Sequence, residues 1–257
     1  MTELALIAPH TYLHFTSYTN YQLMLPQFLS NPGYAKQYGE YCHAGDQFVI
    51  MDNGAAEGVY ISDEELISLV SKYAPDEIVL PDSMGNMLET VNRSKRFIGS
   101  VIRWIDKFPV TPSLSFGIVL QGGNLDEIER QIDLMMEDHE PWIDTLYLPR
   151  SMNVRWTSRV ARITVAEYLE HKLRGKLKIH FLGGSSLFVD ELRQVAKNCP
   201  FVRGMDTSLP FNYAFAGRYI LETGIPIDRP AYFWDAIYNR EVSQLLTRNI
   251  NEMRSWL

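Results

Sequence analysis

Short apolar runs alternate with amphipathic segments along this chain, and each run stops on a polar residue, a glycine or a proline. Residues 4–8, 48–51, 77–80, 116–120, 145–148, 178–182 and 202–205 are rich in Ile, Val, Leu and Phe. They are too short for helices, and their near-continuous hydrophobicity marks strands covered on both faces. The segments between them carry helical spacing. In "SDEELISLVSKYA", Ser62 is placed as an N-cap with Glu65 three residues on, and Leu66, Ile67, Leu69 and Val70 form the apolar face. "NLDEIERQIDLMMEDH" lines up Leu125, Ile128, Ile132 and Met135. "TSRVARITVAEYLEHKL" and "SLFVDELRQVAKN" behave similarly, and residues 234–257 read as a long closing helix.

This alternation predicts an α/β fold with a parallel sheet covered by helices. A doubly wound sheet would carry a Gly-rich phosphate turn after its first strand; here that strand runs into "APHTYLHF", which has none. Seven strands, with an eighth expected near 227–233, fit a (β/α)8 TIM-type barrel, and 257 residues match its size. A single barrel domain over 1–257 is expected. Such barrels direct the C-terminal ends of all strands to one mouth, where chemistry sits. Asp52, Asp82, Gln121, Arg150, Gly183, Gly184 and Asp206 all follow apolar runs, so the fold predicts that they converge. Taken singly, each is as well explained as a loop starter or helix cap.

Composition narrows the picture modestly. An apolar fraction of 46% with 21% charged residues is ordinary for a globular protein. No apolar run approaches the ~20 residues needed to span a bilayer, and "MTELALIAPH" lacks the features of a signal peptide. A cytoplasmic location is expected, in a host cytoplasm if the chain is phage-encoded. Cys42 and Cys199 are too few and too far apart for a disulfide framework or a Cys-rich zinc module, and neither a metal nor a cofactor is expected. A net charge of −7 argues mildly against a broad nucleic-acid surface but permits a local basic face. Candidates are Arg93, Lys95 and Arg96; Arg150, Arg155, Arg159 and Arg162; and Lys172, Arg174, Lys176 and Lys178. Solvated helix faces explain any one of these clusters equally well.

Two carboxylates at one mouth suit displacement at an anomeric carbon: one faces the positive charge building on the sugar, the other moves protons. A third carboxylate with an amide suits reading a heterocycle, because an acid accepts from amino and ring N–H groups and an amide does both. His10 follows the first strand and is placed at the mouth; His14 and His180 are placed in structural roles. Tyr12, Phe15, Tyr18, Tyr21, Trp156, Phe211 and Tyr213 lie near the mouth loops, where stacking on bases competes with ordinary packing.

The motifs "VIMDNGA", "VLPDS", "GIVLQGG", "FLGG" and "RGMDTS", in that order, resemble the tRNA-guanine transglycosylase superfamily, and most closely its compact phage branch, the DpdA-type DNA-guanine transglycosylases. The resemblance covers about residues 48–208. It implies that Asp206 attacks the sugar and forms a covalent aspartyl-nucleic acid intermediate, and that Asp52 relays protons. It implies that Asp82, Gln121, Gly183 and Gly184 contact the base, with Asn53 preserving a polar contact. Arg150 and Arg155 are assigned to nucleic acid. The implied reaction exchanges guanine in a polynucleotide for a 7-deazaguanine such as preQ0. The family's zinc subdomain is missing, which favours DNA over tRNA as partner; whether the chain forms a homo-oligomer is left open. After the first acid this chain has Asn53-Gly54-Ala55-Ala56-Glu57 where the tRNA enzymes usually have Ser-Gly-Gly-Phe-Gln. The alternatives are the same reaction on tRNA, a nucleosidase or glycoside hydrolase barrel, and a non-catalytic base-binding barrel.

Overall fold

The apolar runs form a ring of parallel strands, seen in a computed structural model that describes residues 2–107, 114–158, 160–184, 189–221 and 226–257. The strands are β1 (Glu3–Leu6), β2 (Tyr21–Met24), β3 (Phe48–Met51), β4 (Glu77–Val79), β5 (Ser115–Val119), β6 (Ile143–Pro149), β7 (Lys178–Leu182) and β8 (Val202–Thr207). They pair in the order β1-β8-β7-β6-β5-β4-β3-β2, every pair parallel. β1 packs beside β2 and nearly closes the ring. The chain is a single-domain (β/α)8 barrel, with no zinc subdomain among the described residues.

The eighth strand is not where the sequence placed it. Residues 227–233 are irregular, because Pro226 and Pro230 remove two of the N–H donors a ladder needs. The missing strand is β2, a four-residue stretch that includes a fully buried Gln22. Gln22 Nε2 donates to the carbonyls of Thr16 and Thr19 and to Gln47 Oε1, while its buried Oε1 has no partner among the described residues. A run this short, with an amide in it and Pro26 behind it, carries little hydrophobic signal.

The helices clothe the ring: α1 (Pro32–Cys42), α2 (Asp63–Tyr73), α3 (Met87–Lys107), α4 (Leu125–His139), α5 (Ser151–Arg155), α6 (Ala161–Leu173), α7 (Glu191–Asn198), α8 (Leu209–Phe215) and α9 (Arg240–Arg254). The Ser62 hydroxyl caps α2 by accepting the Glu65 N–H at 3.1 Å. Leu66 and Val70 are buried, as are Ile128, Ile132 and Met135 of α4. The expected closing helix starts later than 234, at Arg240, with Asn239 as its cap. The segment before it, 227–239, crosses back as a strap. It is tied down by Thr11 Oγ1 donating to the Ala236 carbonyl (2.6 Å) and by the Asn239 N–H donating to Tyr12 Oη (2.7 Å).

The barrel interior is polar at its centre. Glu77 is fully buried and accepts from both terminal nitrogens of Arg203 (2.7 and 2.8 Å), from Thr145 (2.8 Å) and from Tyr147. Burial opposes ionisation of Glu77, but these donors outweigh it and hold its carboxyl below the usual range. Tyr147 fits because β5 has Gly117 beneath it; a Cβ there would stand 2.0 Å from the ring.

Candidate active site at the barrel mouth

β3, β4, β5 and β8 each deliver a polar residue to the C-terminal face: Asp52, Asp82, Gln121 and Asp206. Asp52 follows β3 directly, and its backbone N–H donates to the Met24 carbonyl (2.9 Å), which continues the β2–β3 ladder by one residue. Only 6% of Asp52 is exposed, and its carboxylate accepts one bond, from the Gly54 N–H at 3.2 Å. Burial, then the charges of Glu57 and Asp206, push its pKa up to about 8. At neutral pH the carboxyl therefore keeps its proton.

Asp82, following β4, is clamped by two amides. Asn53 Nδ2 donates to Oδ1 at 2.9 Å and Gln121 Nε2 to Oδ2 at 2.6 Å. Asn53 also donates to the Leu80 carbonyl (2.7 Å), and Gln121 accepts from the Gly85 N–H (2.9 Å). Burial raises the Asp82 pKa, opposed by these donors. A carboxylate holding two side-by-side donors is a bidentate acceptor. A heterocycle presenting an amino group beside a ring N–H, as guanine does, would replace both amides.

Asp206, near the end of β8, is oriented from below. Its Oδ1 accepts the Gly183 N–H at 2.9 Å and faces His180 Nε2 at 3.2 Å. His180 Nδ1 in turn faces Tyr21 Oη at 2.8 Å. Burial holds the fully buried imidazole below its ordinary pKa despite the neighbouring carboxylate, and burial raises the Tyr21 phenol. Tyr21 thus keeps its hydrogen and donates to Nδ1, and the neutral imidazole donates from Nε2 to Asp206; the hydrogen-bond network assigns this tautomer.

The loop carrying Gly183 is pinned by Arg162. This side chain, completely buried, donates to the carbonyls of Leu148 (3.1 Å), Leu182 (2.8 Å) and Gly183 (2.9 Å), and forms a two-pronged ion pair with Glu191. Gly184 packs so closely on β8 that a Cβ would meet Thr207 Oγ1 at 2.2 Å.

The mouth also holds polar atoms with no partner among the described residues. Both amide atoms of Gln27 are buried and unbonded, as are Glu57 Oε2, His10 Nδ1, Ser151 Oγ and two nitrogens of Arg155. A buried orphan costs about 1–3 kcal/mol, and so many in one region mark a place where something else supplies partners. Arg155 does have one bond, from Nη1 to the Gln121 carbonyl at 2.6 Å, and burial lowers its pKa.

The structure therefore brings Asp52, Asn53, Asp82, Gln121, Gly183, Gly184 and Asp206 to one rim. Arg155 joins them beside Gln121, and Arg150, exposed at the end of β6, lies against Gly183, where a Cβ would stand 3.3 Å from its Cδ. The N–H of Gly183 holds Asp206, and Gly184 is a packing residue. Among the basic clusters, Arg162 is buried, Lys95, Arg96, Lys172 and Lys178 pair with acids, and Arg159 lies outside the described residues. Tyr12, Phe15, Phe211 and Tyr213 are buried in the core, and Tyr21 is buried where it donates to His180. Sequence reasoning gave no role to Gln27 or Glu57, placed Arg162 only in a candidate basic cluster, and treated His180 as a core histidine. Gln27 follows the strand that went unseen, and Glu57 was visible only as a departure from a motif. Among the described residues, no group of three His, Cys, Asp or Glu side chains is arranged to hold a metal ion, and no helix is long and apolar enough to cross a membrane.

No family model matches this chain, and no curated protein matches it. It is similar to the solved structure "QR15, an Aldolase" over 81% of its own length and 89% of the other's, at 14% identity and a TM-score of 0.49. It is also similar to a "putative lyase/mutase from Burkholderia cenocepacia J2315" over 95% and 90%, at 14% identity and a TM-score of 0.48. These findings correct the expectation of a guanine transglycosylase, and with it that of a glycosyltransferase. The solved structures found similar are of the aldolase and lyase/mutase kind, and no family model or curated protein carries the transglycosylase activity to this chain.

Proposed function

We propose that the mouth is the active site of a carboxylate-based hydrolase of N-glycosidic bonds, of nucleosidase type, with water as acceptor. The observation that carries this reading is the placing of two aspartates in unlike settings at one rim. Asp52 is buried, and burial with the nearby charges of Glu57 and Asp206 raises its pKa to about 8; Asp206 Oδ1 is held by the Gly183 N–H and faces His180 Nε2. Two acids at one site with environments that separate their roles are the requirement for acid-assisted departure from an anomeric carbon.

In this reading Asp82, freed from its two amides, accepts the amino and ring N–H of a guanine-type base. Asp52 donates its proton to the departing nitrogen as the C1–N bond breaks. The Asp206 carboxylate faces the positive charge developing at C1. Water adds to C1 and gives its proton to the Asp52 carboxylate, which restores the acid. The products are free base and free sugar.

The test is incubation with guanosine, 2′-deoxyguanosine and guanine-containing DNA, with free base measured by chromatography. Release of base that falls at least about a hundredfold in both Asp206→Asn and Asp52→Asn is expected for the loss of a general acid or a charge stabiliser. No release from any of the three by the wild-type protein, or undiminished release by Asp206→Asn, overturns the reading. Incorporation of preQ0 into the DNA arm, without net loss of base, would also count against hydrolysis.

A further inference from the structure

The base-reading groups occupy only the β4–β5 side of the mouth. On the opposite side, the ends of β1 and β2 and the turn that follows Asp52 meet the strap at 227–239, and Gln27, Glu57 and His10 there have no role in the chemistry described above. We infer that it is a subsite for a hydroxyl-rich group, the sugar portion of the substrate, with Gln27 and Glu57 as its polar readers; this inference rests on the N-glycoside reading of the site.

Gln27 carries the inference. Its amide oxygen lies 3.6 Å from where a Cβ on Gly54 would stand, so the side chain sits against the turn that holds Asp52. Both of its polar atoms are buried, and neither has a partner among the described residues. An amide offers two donors and an acceptor, a set that matches neighbouring hydroxyls, each of which donates and accepts. Glu57 is the second reader. Its Oε1 faces Arg229 of the strap at 3.6 Å, while Oε2 is buried and unbonded. Its charge is felt at both Asp52 and Asp206, so it lies beside the reacting centre. A carboxylate oxygen there accepts from a hydroxyl.

An aromatic wall backs these groups. Phe28 and Trp234 pack with ring centroids 4.3 Å apart, and His10 meets Phe28 edge-on at 5.1 Å. Within the strap the Arg229 guanidinium stacks 5.1 Å from the Trp234 ring, and the contact of Trp234 with Phe28 joins the strap to this wall. His10 Nδ1 is another buried atom without a partner. Amide, carboxylate, imidazole and aromatic groups brought together here make a mixed apolar and polar surface of the sort that holds a small polar ligand. A base alone would not use them, because Asp82 and Gln121 already read its edge from the other side.

Titration calorimetry with guanosine and with 9-methylguanine, which has the base but no sugar, tests this. The wild-type protein is expected to bind guanosine at least tenfold more tightly than 9-methylguanine. Gln27→Leu and, separately, Glu57→Gln should each erase most of that difference and leave 9-methylguanine affinity unchanged. Circular dichroism and thermal melts identify any variant that fails to fold, and the second variant then decides. Equal affinity of the wild-type protein for the two ligands overturns the subsite. So does an unaltered difference in the folded variants, or an equal loss of affinity for both ligands. Because binding is read and not turnover, an absence of base release would sink the hydrolase reading while leaving the subsite to be scored by these affinities.

Discussion

Asp52 shows how a single position can set both chemistry and stability. Its carboxyl is pushed up to about 8, chiefly by burial and then by the charges of Glu57 and Asp206. In the unfolded chain an aspartate ionises near 3.9. Between those values the folded state binds a proton that the unfolded state has lost, so this group's contribution to stability falls as pH rises and is at its worst above about 8. Asp52→Asn, which keeps the shape and cannot ionise, should stabilise the protein on the order of a few kcal/mol at pH 9 and much less at pH 4. Urea denaturation at the two pH values measures this, and a variant no more stable at pH 9 than the wild type would show that the proton is not held. His180 marks the limit of the sequence at this scale. A histidine inside an apolar run reads as core, and it is core: fully buried and neutral. Its contact with Asp206 depends on Tyr21 from a strand the pattern did not reveal, so the relay could not be read from spacing.

Elements with a strong local signal were legible. The Ser62 cap, the acids of the first turn and the buried Leu66 and Val70 put α2 within a residue of its observed start, because capping and periodicity act within one turn. Ser62→Ala should cost about 1 kcal/mol by removing the acceptor of the Glu65 N–H. Since α2 lies outside the mouth, the loss should appear in chemical denaturation and leave guanosine binding unchanged; a full wild-type stability would mean that water caps the helix equally well. Elements with a weak local signal were not legible. β2 is four residues long and includes Gln22, whose amide N–H groups find acceptors only in contacts that exist after folding. Missing it moved the eighth strand to 227–233 and hid Gln27 at its end. The prolines that forbid a strand in that segment leave it free to cross the mouth as a strap, which brings Arg229 to Glu57. The same limit applies to Arg162. It sits in a basic run that looks solvated, yet it reaches three carbonyls at the ends of β6 and β7 and so fixes the loop behind Asp206.

At the scale of the whole molecule, the barrel is held around a charge pair that no strand supplies alone. Glu77 comes from β4, Arg203 from β8, Tyr147 and Thr145 from β6, so the network ties separated parts of the ring together. The sequence announced the ring through its apolar runs but not this centre, since a Glu at a strand start and an Arg in "VRGMD" look like boundary residues. Arg203→Met would leave Glu77 buried without its counter-charge, and breaking such a pair costs about 3–5 kcal/mol. The pH dependence identifies the cause. In the wild-type protein the Glu77 pKa is lowered, so its contribution is present above the unfolded value and lost as pH falls through the folded one. In Arg203→Met, burial is no longer offset and the pKa rises; the penalty should then be smaller near pH 4, where Glu77 of the folded variant is protonated, and grow toward neutrality. Adding Glu77→Gln to Arg203→Met removes the uncompensated charge while leaving a carbonyl for Tyr147 and Thr145, so the double variant should be more stable than the single at pH 7. Equal stability of the two, or a penalty in Arg203→Met that does not change with pH, would mean that Arg203 matters for its packing over Tyr21 and Phe48 and not for its charge.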